Sequence, residues 1–143
     1  MLGKIVATVG AAYLLDVTLR EILVSRRAQK LAKKLGKPLL NVGSGTDSSS
    51  ATGAKLRGDI NCDIAAPKNA ECGPSTVCYC NVEDLPFEFA DKQFSVALAI
   101  NVLLYVPNKE KAIKELHRVA DHVIISDNIL PWPQLGPGPK FPV

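Results

Sequence analysis

The stretch "LLNVGSGTDSSSATGAKLRGDINCDI", residues 39–64, decides the fold. It opens on an apolar run, Leu39–Val42, and turns at Gly43 and Gly45. A small-residue stretch follows, then a second run, Asp59–Ile64, which carries Asp63. Glycine directly after a strand lets the backbone turn sharply and lets a ligand approach the peptide plane. An acid about 20 residues past the first glycine is placed to take the ribose hydroxyls of an adenosine. The third glycine of the dinucleotide fingerprint is not in place, so a mere tight turn also explains "GSG". A helix normally fills the gap between two such strands, and here there is barely room for one.

Downstream, the same texture continues. Thr76–Val82, Ser95–Ile100 ("SVALAI") and His122–Ser126 ("HVIIS") read as three more strands. Continuous apolar runs suit a parallel sheet covered on both faces. Lys109–Val119, "KEKAIKELHRV", reads as a helix with Ala112, Ile113, Leu116 and Val119 inward and Asn108 as N-cap. A shorter helix is expected near Val102–Tyr105. The tail "NILPWPQLGPGPKFPV" holds five prolines and two glycines and can be neither a regular helix nor a central strand.

Upstream, residues 1–37 read as one long helix that stops near Gly36 and Pro38. Ile5–Val24 is mostly apolar and about as long as a membrane span, but it contains Asp16, Arg20 and Glu21. Asp16 and Arg20, four apart, can pair on one face. Arg26, Arg27, Lys30, Lys33, Lys34 and Lys37 follow with no acid among them. Three readings stand. A membrane anchor or interfacial helix fits the apolar run with its basic flank. An amphipathic helix packed on the domain or on a partner fits the stripe Ile5, Val9, Ala12, Leu15, Leu19, Ile22 and Leu23. A cleaved signal peptide fits less well, because the basic residues lie after the apolar run. The first two make residues 1–37 a contact with a membrane or a protein partner. The positive-inside bias would then leave Leu39 onward inside the cell, on the cytoplasmic side.

With 143 residues the chain has room for one core, and 47% hydrophobic with 22% charged residues is a globular composition. A net charge of +3, concentrated in one segment, does not argue for nucleic acid. Cys62, Cys72, Cys78 and Cys80 make no CxxC pair and the only histidines are His117 and His122, so no metal site is expected. Buried reduced thiols in an intracellular protein are the expectation for the cysteines.

Five links stand in order: "LNVGSG" (40–45), "NCDI" (61–64), "NVEDLPF" (81–87), "FSVALAINVLLYV" (94–106) and "ELHRV" (115–119). Together they resemble the class I S-adenosylmethionine-dependent methyltransferases, over Leu39 to about Asp127. The resemblance implies a minimal Rossmann-like α/β fold: a parallel sheet of strand order 3-2-1-4-5 behind a long N-terminal helix, without the family's usual sixth and seventh strands. It divides the chain into residues 1–37, a methyltransferase-like domain over 38–128 and an extended tail over 129–143. One branch of the family carries its acidic strand soon after the glycine loop with little or no first helix, which would account for the short gap.

By that resemblance S-adenosylmethionine is the cofactor. Gly43, Ser44 and Gly45 would pass under its methionine end, Asp63 would hold the ribose diol, and Asn81 and Val82, with Glu83 beside them, would flank the adenine. Asn101 would face the cofactor near the methyl group. Departures accompany the matches. Ser95 stands where the family has Asp, Asn81 where an acid usually reads the adenine amine, Tyr105 where a His is usual, and no "KPGG" turn follows Val119. An Asn carbonyl can still accept the adenine bond.

Plainer readings compete at each position. Asp63 would be a surface acid at a strand end, Asn101 a helix N-cap, Asp84 a turn residue and His117 a solvated helix residue. Two functions follow: methyl transfer to an unidentified acceptor, in which positioning does most of the work and no catalytic side chain is named, or an inactive methyltransferase-like domain that serves as a membrane-attached or assembly-embedded component.

Overall fold

A computed structural model describes residues 2–46, 54–86 and 88–127. The order is α1 (Leu2–Leu35), β1 (Leu39–Val42), β2 (Ile60–Asp63), β3 (Val77–Tyr79), β4 (Phe94–Ile100), a 3-10 turn (Leu103–Tyr105), α2 (Lys109–Val119) and β5 (Ala120–Ser126). The five strands form one sheet of order β3-β2-β1-β4-β5, parallel throughout. This is the minimal Rossmann-like arrangement expected, with the switch point beside β1. Strand ends differ by up to a few residues from the sequence reading. The largest difference is β3, which keeps only Val77–Tyr79 of Thr76–Val82, because a turn in which Asp84 donates its N–H to the Asn81 carbonyl at 2.9 Å takes the rest. The proline-rich tail and Phe87 lie outside the described residues.

Hydrophobic burial drives the centre. All four residues of β1 and all seven of β4 are buried. One face carries Leu40, Val42, Phe94 and Ala97 against α2 through Ala112, Leu116 and Val119. The other carries Leu39, Val96, Leu98 and Ile100 against α1 through Ala28 and Ala32. Each large side chain so buried contributes about 1.5–3 kcal/mol. Asn108 caps α2 as expected, its side chain accepting from the Lys111 N–H.

No glycine turn is needed after α2. Lys92, at φ 57°, donates its N–H to the Arg118 carbonyl at 2.8 Å and its ammonium to the carbonyls of His117 and Ala120. The carbonyls a C-terminal turn would satisfy are thus taken by a lysine from another segment. Ser95, in the family's Asp position, pins the start of β4: its hydroxyl donates to the Lys37 carbonyl at 2.7 Å.

Two expectations are corrected. Of the stripe Ile5, Val9, Ala12, Leu15, Leu19, Ile22 and Leu23, every side chain from Val9 on is exposed, so the stripe does not pack on the body as one half of that reading had it. The covered side of α1 is instead Val17, Val24, Ser25, Ala28, Leu31 and Ala32, of which the small Ser25, Ala28 and Ala32 let the helix approach the sheet. The cysteines are not free thiols: Cys62 is bonded to Cys80 and Cys72 to Cys78. Cys80, just past β3 and two residues beyond Cys78, the register partner of Cys62, comes to a Cα separation of 5.5 Å from Cys62, and a short turn brings Cys72 and Cys78 to 4.7 Å. The expected Asp16–Arg20 pair forms at 2.9 Å on the exposed surface.

Two buried asparagines hold the described end of the β1–β2 connection against the sheet. Asn41 and Asn61 are register partners. The Asn41 amide donates to the Asn61 side-chain oxygen at 2.9 Å and to the Lys55 carbonyl at 2.6 Å. Asn61 donates to the carbonyls of Gly58 and Gly73, each at 3.0 Å, and accepts from the Gly58 N–H. The connecting loop lies so close to β1 that a Cβ at Gly58 would sit 2.8 Å from the Leu39 carbonyl oxygen. Side-chain amides thus satisfy backbone groups of Lys55, Gly58 and Gly73 that lie outside any helix or strand.

Candidate functional site

The site builds up from the end of β1. Gly43 and Gly45 have φ of 70° and 73°, the left-handed region where a side chain is strained. The turn is tied to β2, because the N–H groups of Gly43 and Ser44 both donate to the Cys62 carbonyl, at 2.8 and 3.2 Å. A Cβ at Gly43 would also run into the Val102 side chain, which packs over the turn.

Asp63 ends β2 beside this turn. One carboxylate oxygen accepts the Gly45 N–H at 2.9 Å and the other the Ala65 N–H at 2.8 Å. Each oxygen of an ionised carboxylate has a second lone pair, so acceptor capacity remains toward a diol. Asp63 is therefore more than a surface acid: it fixes the glycine turn.

Asn81 and Val82 follow β3. Asn81 accepts the Glu83 N–H at 3.0 Å through its side-chain oxygen, and Val82 is buried. Glu83 reaches the far wall and accepts the Asn108 N–H at 2.6 Å. Asp84 is a turn residue, as its plainer reading has it. The β2 and β3 ends are joined twice, by the Cys80 N–H donating to the Asp63 carbonyl at 3.2 Å and by the Cys62–Cys80 disulfide.

Asn101 follows β4 at φ 57° and does not cap the next turn. Its side-chain amide donates to Glu21 of α1 at 2.9 Å, and its N–H donates to the Ser126 carbonyl. Glu21 also pairs with Arg57 at 2.8 Å, both largely sheltered. An acid that counts against a simple membrane span is in fact the clamp between α1, the β1–β2 loop and β4.

All seven expected positions thus stand at the carboxyl ends of the strands. Gly43, Ser44, Gly45 and Asp63 are in one hydrogen-bonded unit. Asn81 and Val82 join it across β3, and Asn101 through Val102. Glu21, Arg57 and the cross-strand disulfide were not legible as site features, since each depends on a partner far away in sequence.

Asp127 was also missed. It follows β5 near the backbone of Val102 and Leu103, and one buried carboxylate oxygen has no hydrogen-bond partner among the described residues. Desolvation raises its pKa above the ordinary aspartate value, while the amides of Val102 and Leu103 and the charge of Lys109 pull the other way. Its only sequence signal is an acid closing an apolar strand.

A groove of about 730 Å³ lies elsewhere, at the amino ends of the strands, lined in part by Lys33, Lys37, Arg57 and Asp59. It does not touch the glycine turn.

Neither the curated proteins nor the solved structures yield a match. The methyltransferase domain family matches residues 40–122, more than half of the chain and nearly all of the sheet. The parallel order 3-2-1-4-5, the left-handed glycine turn after β1 and the acid closing β2 agree with that match, and the chain belongs to the methyltransferase domain family.

Proposed function

We propose that this chain binds S-adenosylmethionine across the switch point and passes its methyl group to an acceptor. The Gly43–Gly45 turn hydrogen-bonded to the Asp63 carboxylate carries this reading, because it couples a backbone cradle to a diol acceptor. The residues fit the group. Asp63 keeps lone pairs for the ribose, and Asn81 can accept a further bond through its side-chain oxygen. When bound, the cofactor's sulfonium supplies a methyl group that an acceptor lone pair can attack, and the protein's task is alignment. Asn101 and Asp127 stand on the β4 and β5 side of the mouth, where they would orient a polar acceptor.

Calorimetric titration with S-adenosylmethionine is the test. Asp63→Ala should lose about 1.5–3 kcal/mol of binding, the value of a charge-assisted hydrogen bond. Equal affinity in wild type and variant would mean the ligand sits elsewhere.

A second reading rests on a specific observation. Asp63 and Asn101 are already hydrogen-bonded within the protein, and Val102 covers Gly43. An inactive, structural domain would need no more than that. Absence of binding at millimolar cofactor would favour it.

For location, two features pull apart. The basic end of α1 favours the inner side of a membrane, whereas paired cysteines persist in oxidising compartments. Lysing cells directly into denaturant with the alkylating reagent and counting blocked thiols by mass decides: four alkylated cysteines favour the inside of the cell, none a place outside the reducing cytosol.

A further inference from the structure

The direction of α1 relative to the sheet has a bearing on the acceptor. Glu21 meets Asn101 just past the carboxyl end of β4, while Lys37 donates to the Lys92 carbonyl at the amino end, at 3.1 Å. The helix therefore runs antiparallel to the strands. Residues 21–35 span about 22 Å at 1.5 Å per residue, the length of β4. Residues 2–20 continue the helix for about 28 Å beyond Glu21 in the same direction, and of the side chains described there Val17 alone is buried, on the side opposite Leu15 and Leu19.

One outward stripe follows this helix at spacings of three and four. It is apolar first, with Leu15 62%, Leu19 50% and Leu23 64% exposed. It then becomes basic, with Arg26, Lys30 and Lys33 all exposed. Asp16 lies at its margin, already paired with Arg20. From Ile22 to Lys37 the helix and its exit contain no acid. An apolar half continuous with an unopposed cationic half matches an interface that is hydrocarbon on one side and anionic on the other. A second copy of the chain would set the same cations against each other if it packed in parallel. No helix among the described residues is long and apolar enough to cross a membrane, which fits a helix lying obliquely in the surface rather than spanning it.

We infer that this stripe docks on an anionic lipid surface and turns the mouth of the sheet toward it. The acceptor class that follows, a molecule carried in or on that surface, rests on the methyltransferase reading; the docking does not.

Sedimentation of the full chain with phosphatidylcholine vesicles, with and without phosphatidylserine, tests the docking. Binding should require phosphatidylserine and weaken with salt. The variant Arg26→Ala/Lys30→Ala/Lys33→Ala should lose roughly a hundredfold in apparent affinity, about fivefold per cation. Leu15→Ser/Leu19→Ser/Leu23→Ser should also release the protein. These positions are exposed, so thermal melts should not move. Equal binding to both vesicles, no binding by the wild type, or a basic variant that binds as well as wild type overturns the proposal. So does a dimer by light scattering that ignores vesicles, which would assign the stripe to a second copy. Hydrogen exchange on vesicles then tests orientation without any cofactor. Residues 43–45 and 101–106 should gain protection while the exposed side of α2 at Lys111 and Lys114 does not. The reverse pattern would separate the acceptor inference from a failure of cofactor binding.

Discussion

The two flanks of β1 are built by different physics. Toward β4 and β5, the strands have seven residues each and helices lie over both faces. Toward β2 and β3, the strands have four and three residues, and the supports are an asparagine network and two disulfides. Where helices cover a sheet, apolar area stabilises it. Where irregular backbone lies against the sheet, its polar groups must find partners, and local cross-links compensate for the smaller core. The candidate cofactor site sits on the seam between the flanks, so its glycine turn rests on the apolar side and Asp63, Asn81 and Val82, proposed for the ribose and adenine, on the cross-linked side.

The largest effect expected from this contrast is on the apolar flank. Phe94 is fully buried and meets Phe89 edge to face at 5.3 Å between ring centres. Phe94→Ala should cost about 3–5 kcal/mol in denaturant unfolding. A loss below about 1 kcal/mol would mean the apolar flank is not the core.

Next comes the cross-linked flank. Replacing Cys62 and Cys80 by Ala removes a closed loop of sequence separation 18, worth about 3 kcal/mol by chain entropy. Amide exchange should rise in β2 and β3 while β4 and β5 stay protected. Uniform exchange across all five strands would erase the contrast.

Asn61→Ala should cost about 2–3 kcal/mol, since it leaves buried groups of Asn41, Gly58 and Gly73 without their partner. Asn61→Asp should not restore it, because a carboxylate cannot donate to the two carbonyls. Recovery in the Asp variant would show that the network is held by acceptance alone.

The smallest effect concerns pH. The folded chain holds the Asp127 proton more tightly than the unfolded chain does, because burial disfavours the charged form. Stability contributed by this group therefore falls as pH rises from the ordinary aspartate value through the raised one, and recovers as pH drops. Unfolding of Asp127→Asn between about pH 4 and pH 7 should lack that component. A wild type and variant with parallel pH profiles would place Asp127 in water.

Legibility followed the same division. The apolar flank could be read: Leu39–Val42 and Lys109–Val119 have the bounds the periodicity gives, and strand order follows from right-handed crossovers once the glycine turn is placed. The glycine turn, Asp63 and the residues after β3 and β4 were legible because their spacing along the chain carries the pattern. The polar flank was not. The amides of Asn41 and Asn61 read as ordinary strand residues until they are found side by side. Lys92 gives no sign in sequence that it caps α2. Glu21 looks like an obstacle in an apolar helix, and its role exists only because Arg57 and Asn101 arrive from elsewhere. The cysteines misled for a related reason: spacing alone says nothing about which strands stand opposite one another.

The direct passage from Val119 to Ala120 fixes more than a missing turn. Because successive strand residues address opposite faces, chain length between α2 and β5 is determined to the single residue. Val123 packs into the α2-side core and Ile124 into the α1-side core, so one added residue would exchange their faces along the whole strand. The β1–β2 connection, by contrast, meets the sheet at Lys55 and Gly58 through the side-chain amides of Asn41 and Asn61, contacts that set no alternation of faces. Of the two connections, the direct passage from Val119 to Ala120 is the one intolerant of insertion.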